Sequence, residues 1–263
     1  MNHYQPVIIS PDVTIGGETV YLMAGPCSVE SYEQTAVIAQ VLATTGIKIM
    51  RGGAFKPRTS PHSFQGLGAA GLEILRDVAD QHGLLVITEA LAVEHVPLVA
   101  EYADIIQIGS RNMQHYPLLW RVGELDKPVL LKRGFMSTIA EWLQAAEHIA
   151  SRGNRRIILC ERGIRTFETA TRNTLDTNAI ALLKQMSPYP VMADPSHATG
   201  RAGLVLPAAR AAIAAGADGL LVEFHPDPTS ALSDGEQSLP LDMLPQFVTE
   251  VQGVATAVGR SFV

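Results

Sequence analysis

The chain has 263 residues, 47% of them hydrophobic and 17% charged, with a formal net charge of -6 and a pI near 5.7. That length fits one large α/β domain or two small ones, and the apolar content can build a sizeable core, which excludes a disordered chain. The acidic balance excludes bulk electrostatic attraction to nucleic acid, so anion binding must come from local clusters. Two cysteines, Cys27 and Cys160, are too few for a disulfide framework and fit a reduced, cytoplasmic setting. The opening MNHYQPVIISPDV has no basic stretch ahead of a long apolar core. No run of about 18 apolar residues occurs, so neither a signal peptide nor a membrane span is expected.

Val13-Thr14-Ile15, Gly16-Gly17 and Glu18-Thr19-Val20 predict a small hairpin over about residues 10–20, because Gly-Gly suits a tight turn. Short apolar runs then recur at Tyr21–Ala24, Ile47–Met50, Leu84–Thr88, Asp104–Ile108, Pro128–Lys132, Arg156–Cys160, Pro190–Ala193 and Gly219–Glu223. Between them, segments such as SYEQTAVIAQVLATTG and TIAEWLQAAEHIASRG space their apolar residues near 3.6 and close on Gly. Continuous rather than alternating apolar strands imply a sheet buried on both faces. Eight of them with helices between predict a closed (β/α)8 TIM barrel whose bottom the hairpin covers. An open doubly wound sheet is the alternative fold. Its nucleotide-binding forms carry GxGxxG after the first strand, and AGPCSVES does not match. No linker or low-complexity tract interrupts the chain, so residues 1–263 read as a single catalytic domain, with about Leu241 to Val258 as the eighth helix.

In a barrel the residues just past the carboxyl end of each strand form the active site. Read in order, they are Cys27; Arg51, Lys56, Arg58 and Thr59; Glu89; Ser110 and Arg111; Lys132 and Arg133; Glu161, Arg162 and Arg165; Asp194 and His197; Glu223 and His225, with Asp234 in the following loop. Any one of these has a bland explanation. A lone Arg at a strand end is usually solvated, and a lone Cys on an apolar strand is usually packing. The coincidence at all eight strand ends is what argues for a site.

Two chemical subsets separate. Cys27, His197, Glu223 and Asp234 offer a thiolate, an imidazole and two carboxylates, which suits one divalent transition metal. Barrel closure brings the first, seventh and eighth strands together, so these four can converge. Cys160 lies outside that arc and reads as a small core residue. The second subset is cationic: Arg51, Lys56, Arg58, Arg111, Lys132, Arg162 and, at its margin, Arg165. So many cations in one pocket would repel each other if it stayed empty, so the pocket should take small, multiply anionic molecules. Gly52, Gly53 and Gly109 should let a ligand approach the backbone.

The blocks AGPCSVES, RGGAFKPRTSPHSFQGLG, QIGSRNMQ, PVLLKRG, CERGIRTFE, DPSHATG and VEFHPDP followed by ALSDGEQSL resemble the 3-deoxy-D-arabino-heptulosonate 7-phosphate (DAHP) synthases, type I-beta. The resemblance starts near residue 10, reaches the C-terminus and touches every strand. It implies a transferase that condenses phosphoenolpyruvate with erythrose 4-phosphate in an aldol-type reaction, at the head of the shikimate pathway to aromatic amino acids. It implies Cys27, His197, Glu223 and Asp234 as ligands to one divalent metal: manganese, iron, cobalt, zinc or similar. It implies Arg111, Lys132 and Arg162 as phosphoenolpyruvate contacts, with Arg51 and Lys56 shared around that site and Ser110 nearby. Pro57, Arg58 and Thr59, in the KPRT loop, match the aldose phosphate contacts, and Glu89 matches an acid near the metal and the reactive water. Catalytic roles thus fall to Lys56, Glu89, His197 and Cys27. The family also implies a homodimer or homotetramer, and a separate chorismate mutase could bind and confer regulation. No ACT-like or chorismate-mutase segment is expected within these residues, which the barrel elements use up.

Three rivals stand beside this reading. The 3-deoxy-D-manno-octulosonate 8-phosphate synthases share the barrel but typically carry a KANRSS-like loop where this chain has KPRT. A Schiff-base aldolase could use Lys132. A catalytically silent barrel could serve as a binding subunit.

Overall fold

The computed structural model describes residues 4–56, 60 and 62–263. Strands β1 (Val7–Ser10) and β2 (Val13–Ile15) form an antiparallel hairpin. The barrel strands are β3 (Thr19–Gly25), β4 (Ile49–Arg51), β5 (Leu85–Glu89), β6 (Ile105–Ile108), β7 (Val129–Lys132), β8 (Ile157–Glu161), β9 (Val191–Ala193) and β10 (Gly219–His225). Each pairs in parallel with the next. Strand β10 then pairs with β3, from Gly219 beside Tyr21 to Glu223 beside Gly25, and closes the ring.

The continuous apolar runs are explained by two cores. Along β10, Leu220, Val222 and Phe224 face the helices, while Leu221 faces the interior. Along β8, Ile157 and Leu159 face out, while Ile158 and Cys160 face in. Side chains alternate with period two, so a strand buried on both faces must be apolar throughout. Cys160 is a packing residue of the inner core, as its sequence context suggests. Val7, Val13 and Ile15 join that inner core from below, so the hairpin plugs the bottom of the barrel.

The hairpin itself sits earlier than the Gly-Gly turn predicts. Its turn is at Pro11-Asp12, and Thr19-Val20 belong to barrel strand β3. Gly16 has φ 95° and packs beside Tyr4 and Pro190, so it turns the chain from the hairpin into the barrel. A short strand at Ser261–Phe262 adds beside the start of β3 and ties down the C-terminus.

The helices are α1 (Tyr32–Thr44), α2 (Ala69–Gln81), α3 (Val96–Tyr102), α4 (Tyr116–Gly123), α5 (Ile139–Ala150), α6 (Thr177–Met186), α7 (Pro195–Thr199), α8 (Ala202–Ala214) and α9 (Leu244–Ala257). Helix α5 starts at a capping box, in which Thr138 and Glu141 satisfy each other's backbone N–H. Its Trp142 is fully buried and donates its indole N–H to Leu131 O at 3.2 Å, which locks α5 onto β7. Removing a buried indole of this kind costs about 3–5 kcal/mol. Among the described residues, no helix is long and apolar enough to cross a membrane.

Candidate active site

Barrel closure juxtaposes the carboxyl ends of β3, β9 and β10, and this brings the four candidate metal ligands together. One ligand atom each from Cys27, Glu223 and Asp234 lies within 4.8 Å of the other two. His197 completes the cluster, with Nε2 3.5 Å from Glu223 Oε1 and 3.9 Å from Asp234 Oδ2. Asp234 has φ 52°, and among the described residues it is the sole non-glycine in the left-handed region. Aspartate tolerates that conformation better than most, and such strain collects where a side chain must be aimed.

The protonation states suit a cation. Burial, reinforced by Glu223 and opposed by Lys56, raises the Cys27 thiol to about 12. Burial would raise Glu223 and Asp234 too, but it is outweighed at Glu223 by His197, Arg51 and Lys56 together, and at Asp234 by His197, the Cys27 hydrogen bond, Arg172 and Lys56 together, so both carboxylates stay ionised. His197 is lowered, because its burial outweighs the pull of Asp194 and Glu223, so it is neutral at pH 7. Its Nδ1 lies 2.8 Å from Asp194 Oδ2, poorly aligned for a hydrogen bond but close enough to favour the proton on Nδ1. That tautomer leaves the Nε2 lone pair facing the two carboxylates. A soft sulfur, an imidazole nitrogen and two carboxylates fit one divalent transition metal.

The opposite wall is cationic. A cavity runs from Asp234 and His197 across to Lys132, Arg162 and Arg111. Lys56, Glu89 and Ser110 also line it, so eight of the predicted site residues share one space. Lys132 donates to Asp194 Oδ2 at 2.5 Å, and Asp194 Oδ1 accepts from the His197 backbone N–H at 2.9 Å. One buried carboxylate therefore fixes a cation and an imidazole at once. Asp194 is held well below the usual carboxylate range: burial alone would raise it, but His197 and Lys132 outweigh that. Lys56 joins the two walls, with Nζ 2.9 Å from Cys27 Sγ and 3.0 Å from Cys27 O.

Other predicted residues take different places. Arg51 sits behind the cluster, 4% exposed, and donates to Glu223 Oε1 at 2.8 Å and Pro26 O at 2.7 Å. Arg133 turns away from the cavity to Glu161 and Asp176, at 2.9 and 3.0 Å. Arg165 is exposed on an outer cavity that shares Arg111 with the inner one. His225 faces Glu30 at 3.4 Å. Pro57, Arg58 and Thr59 lie outside the described residues.

The three glycines also admit side chains of the protein itself. A Cβ on Gly52 would press on Leu75 and Val29, so this glycine admits helix packing, not a ligand. A Cβ on Gly53 would fall 2.7 Å from Cys27 O and 2.8 Å from Lys56 Cδ. On Gly109 it would fall 2.1 Å from Glu89 Oε1. These two let the side chains of Lys56 and Glu89 approach the backbone.

Three contributors carry no signal at a strand end. Gln237 donates to Glu223 Oε2 at 2.6 Å and accepts from Arg172 at 2.8 Å, which fixes the second oxygen of a candidate ligand. Arg172 itself lines the cavity and comes from the irregular stretch before α6. Phe135 lines it too, just past the KRG of β7, where a reading for charge passes over it.

Comparison with known proteins agrees with this geometry. Residues 5–260 match the model of the DAHP synthetase I family. Phospho-2-dehydro-3-deoxyheptonate aldolase of Thermotoga maritima is 56% identical over 253 residues, which cover 96% of this chain and 75% of the relative. The 2-dehydro-3-deoxyphosphooctonate aldolase of Syntrophotalea carbinolica is 35% identical over 266 residues, covering 94% of this chain and 95% of the relative. The crystal structure of the Thermotoga maritima DAHP synthase superposes with a TM-score of 0.96 at 54% identity, covering 99% of this chain and 76% of that one. A truncated form of the synthase from the same organism gives 0.93 at 50% identity, covering 99% of this chain and 95% of that one. With its closed barrel, its cation-lined cavity and the thiol–imidazole–carboxylate cluster beside it, the chain belongs to the DAHP synthetase I family of enzymes.

Proposed function

We propose that the chain condenses phosphoenolpyruvate with erythrose 4-phosphate to give DAHP and inorganic phosphate, with one divalent metal ion held by Cys27, His197, Glu223 and Asp234. The observation that carries this is the division of one cavity: Arg111, Lys132 and Arg162 on one wall, and on the other His197 and Asp234, which belong to a metal-type donor set with Cys27 and Glu223 behind them. Arg111 and Arg162 would grip the phosphate of phosphoenolpyruvate, and Lys132 its carboxylate. C3 of phosphoenolpyruvate then forms a bond to the aldehyde carbon, and the aldehyde oxygen becomes a hydroxyl. Water adds to C2, and phosphate leaves with its bridging oxygen as C2 becomes a ketone. Glu89, which accepts from Gln107 at 3.0 Å, would take the proton from that water. Ser110 supports the phosphate end, and Arg58 and Thr59 of the KPRT loop would take the sugar phosphate. A bound divalent cation supplies Lewis acidity toward the aldehyde oxygen. Holding two anions in fixed orientation is a large share of the work in such a site.

The test is phosphoenolpyruvate consumption with manganese, offered erythrose 4-phosphate or arabinose 5-phosphate, with and without EDTA. Turnover with the four-carbon sugar alone, abolished by EDTA, is the expected result. Turnover with arabinose 5-phosphate would place the chain with its octulosonate relatives. No turnover with either sugar would favour a silent barrel. A homodimer or homotetramer, as the family resemblance implies, can be read by light scattering on the same sample.

Metal uptake should release protons. The thiol is protonated at neutral pH, whereas His197 is neutral and both carboxylates are ionised. Only the thiol must lose a proton to become a ligand, so uptake should release about one proton per ion. Apparent affinity should climb about tenfold per pH unit through neutrality. Calorimetry in buffers of different ionisation enthalpy measures this. A pH-independent affinity would mean that the thiolate is not a ligand.

A further inference from the structure

Four arginine and lysine side chains are buried in this protein among the described residues: Arg51, Lys132, Arg133 and Arg162. Three of them have carboxylate partners, Glu223, Asp194, and Glu161 with Asp176. Arg162, 2% exposed, has no ion pair among the described residues. Its guanidinium lies instead over the ring of Phe135, with Cζ 4.6 Å from the centroid. Beyond that, among the described residues, it makes only a long contact of 3.5 Å to Gly163 O. Phe135 also draws Arg165 to 5.1 Å and Arg111 to 5.7 Å. Three guanidinium groups thus surround one phenyl ring, and two of them line the inner cavity.

We propose that Phe135 is a positioning residue for phosphoenolpyruvate, holding the Arg162 and Arg111 guanidinium groups in place through its ring face without neutralising them. This rests on the reading of those two arginines as the phosphate clamp. The physical argument is one of charge. A buried guanidinium needs something to hold it, and a carboxylate is the usual answer. A carboxylate here would cancel the charge that the incoming phosphate needs and would itself repel that phosphate. A ring quadrupole attracts the cation yet leaves its N–H groups and net charge for the ligand. Burial, with Arg172 adding repulsion, lowers Arg162 to about 10 against the more distant pull of Asp194 and Glu161, so it remains charged at neutral pH although no carboxylate pairs with it among the described residues.

The test replaces Phe135 in the full chain with 4-fluoro-, 3,5-difluoro- and 3,4,5-trifluorophenylalanine. These change the shape little while draining charge from the ring face. Phosphoenolpyruvate binding is measured by calorimetry, and Tm is measured for each form. The proposal expects Kd to rise stepwise with fluorination, reaching roughly tenfold at the trifluoro ring. It also expects KM for phosphoenolpyruvate to follow Kd more closely than kcat does, and Phe135→Trp to restore binding that Phe135→Leu loses. A ring that serves only to pack would leave Kd flat across the fluorinated series, and that result overturns the proposal while leaving the function intact. If the unmodified chain does not bind phosphoenolpyruvate, the functional reading fails and takes the proposal with it.

Discussion

Asp194→Asn is expected to cost about 3–5 kcal/mol of stability, a fall of roughly 6–20 °C in Tm, together with most of the activity. Asp194 is fully buried and meets Lys132 Nζ at 2.5 Å, His197 Nδ1 at 2.8 Å and the His197 backbone N–H at 2.9 Å. An asparagine keeps the size and can still cap α7 with its carbonyl oxygen. It cannot offset the Lys132 charge, so a buried ammonium is left without its anion. It also stops favouring the proton on Nδ1, so His197 can present the wrong nitrogen to the cluster. One substitution therefore disturbs both walls of the cavity. The control is Asp126→Asn at the exposed pair with Arg156, where the carboxylate is 95% exposed and the expected change is within about 0.5 kcal/mol. Thermal melts and kcat/KM on both variants decide the matter. An Asp194→Asn protein that melts within about 2 °C of the parent and turns over normally would show that the carboxylate holds neither partner.

The physics behind these contacts also explains what could be seen without coordinates. The barrel was legible because a parallel strand buried on both faces has to be apolar along its body, as residues 157–160 of β8 and 220–222 of β10 are, with ionisable residues left to the carboxyl end. Once the strands are placed, the strand-end rule places the site, and Lys56, Glu89, Ser110, Arg111, Lys132, Arg162, His197 and Asp234 do share one cavity. The hairpin was shifted because Gly16-Gly17 looks like a turn. Its glycine freedom is spent on leaving the hairpin, while the closing barrel claims Thr19 and Val20 for β3. Arg133 and Arg162 look alike in sequence, each next to the end of a strand. Only the structure shows that Arg133 turns to Glu161 and Asp176 while Arg162 faces the cavity.

What remained hidden is the layer that supports the ligands. Gln237 and Arg172 sit in irregular segments where no periodicity exists to read. Their role depends on a hydrogen-bond chain from Arg172 through Gln237 to Glu223. Phe135 was hidden for another reason. An aromatic residue after a strand has an ordinary packing explanation, and only the count of guanidinium groups around its ring argues otherwise. A search for charge finds the groups that bind anions and overlooks those that hold the binders still.

Cys27→Ala is expected to lower activity more than about 100-fold in metal-replete buffer and to reduce bound metal by a similar factor, because even groups that only orient ligands cost 10–100-fold when removed. The fold should survive. Cys27 contributes one sulfur to the cluster, and its loss leaves Lys56 Nζ still 3.0 Å from the Cys27 backbone oxygen. The two carboxylates keep their partners His197 and Arg51. A stability change near 1 kcal/mol is all that removing so small a buried side chain requires. Activity and stability should therefore separate, which distinguishes a ligand from a packing residue. Cys160→Ala supplies the contrast, since that thiol lies in the inner core among Ile158 and Met192 and its loss should appear in Tm before it appears in turnover. Metal content after dialysis gives a reading independent of the assay. Should Cys27→Ala retain near-normal turnover and a full complement of metal, the cation must sit elsewhere, and the thiol–imidazole–carboxylate cluster would lose its place in the reaction.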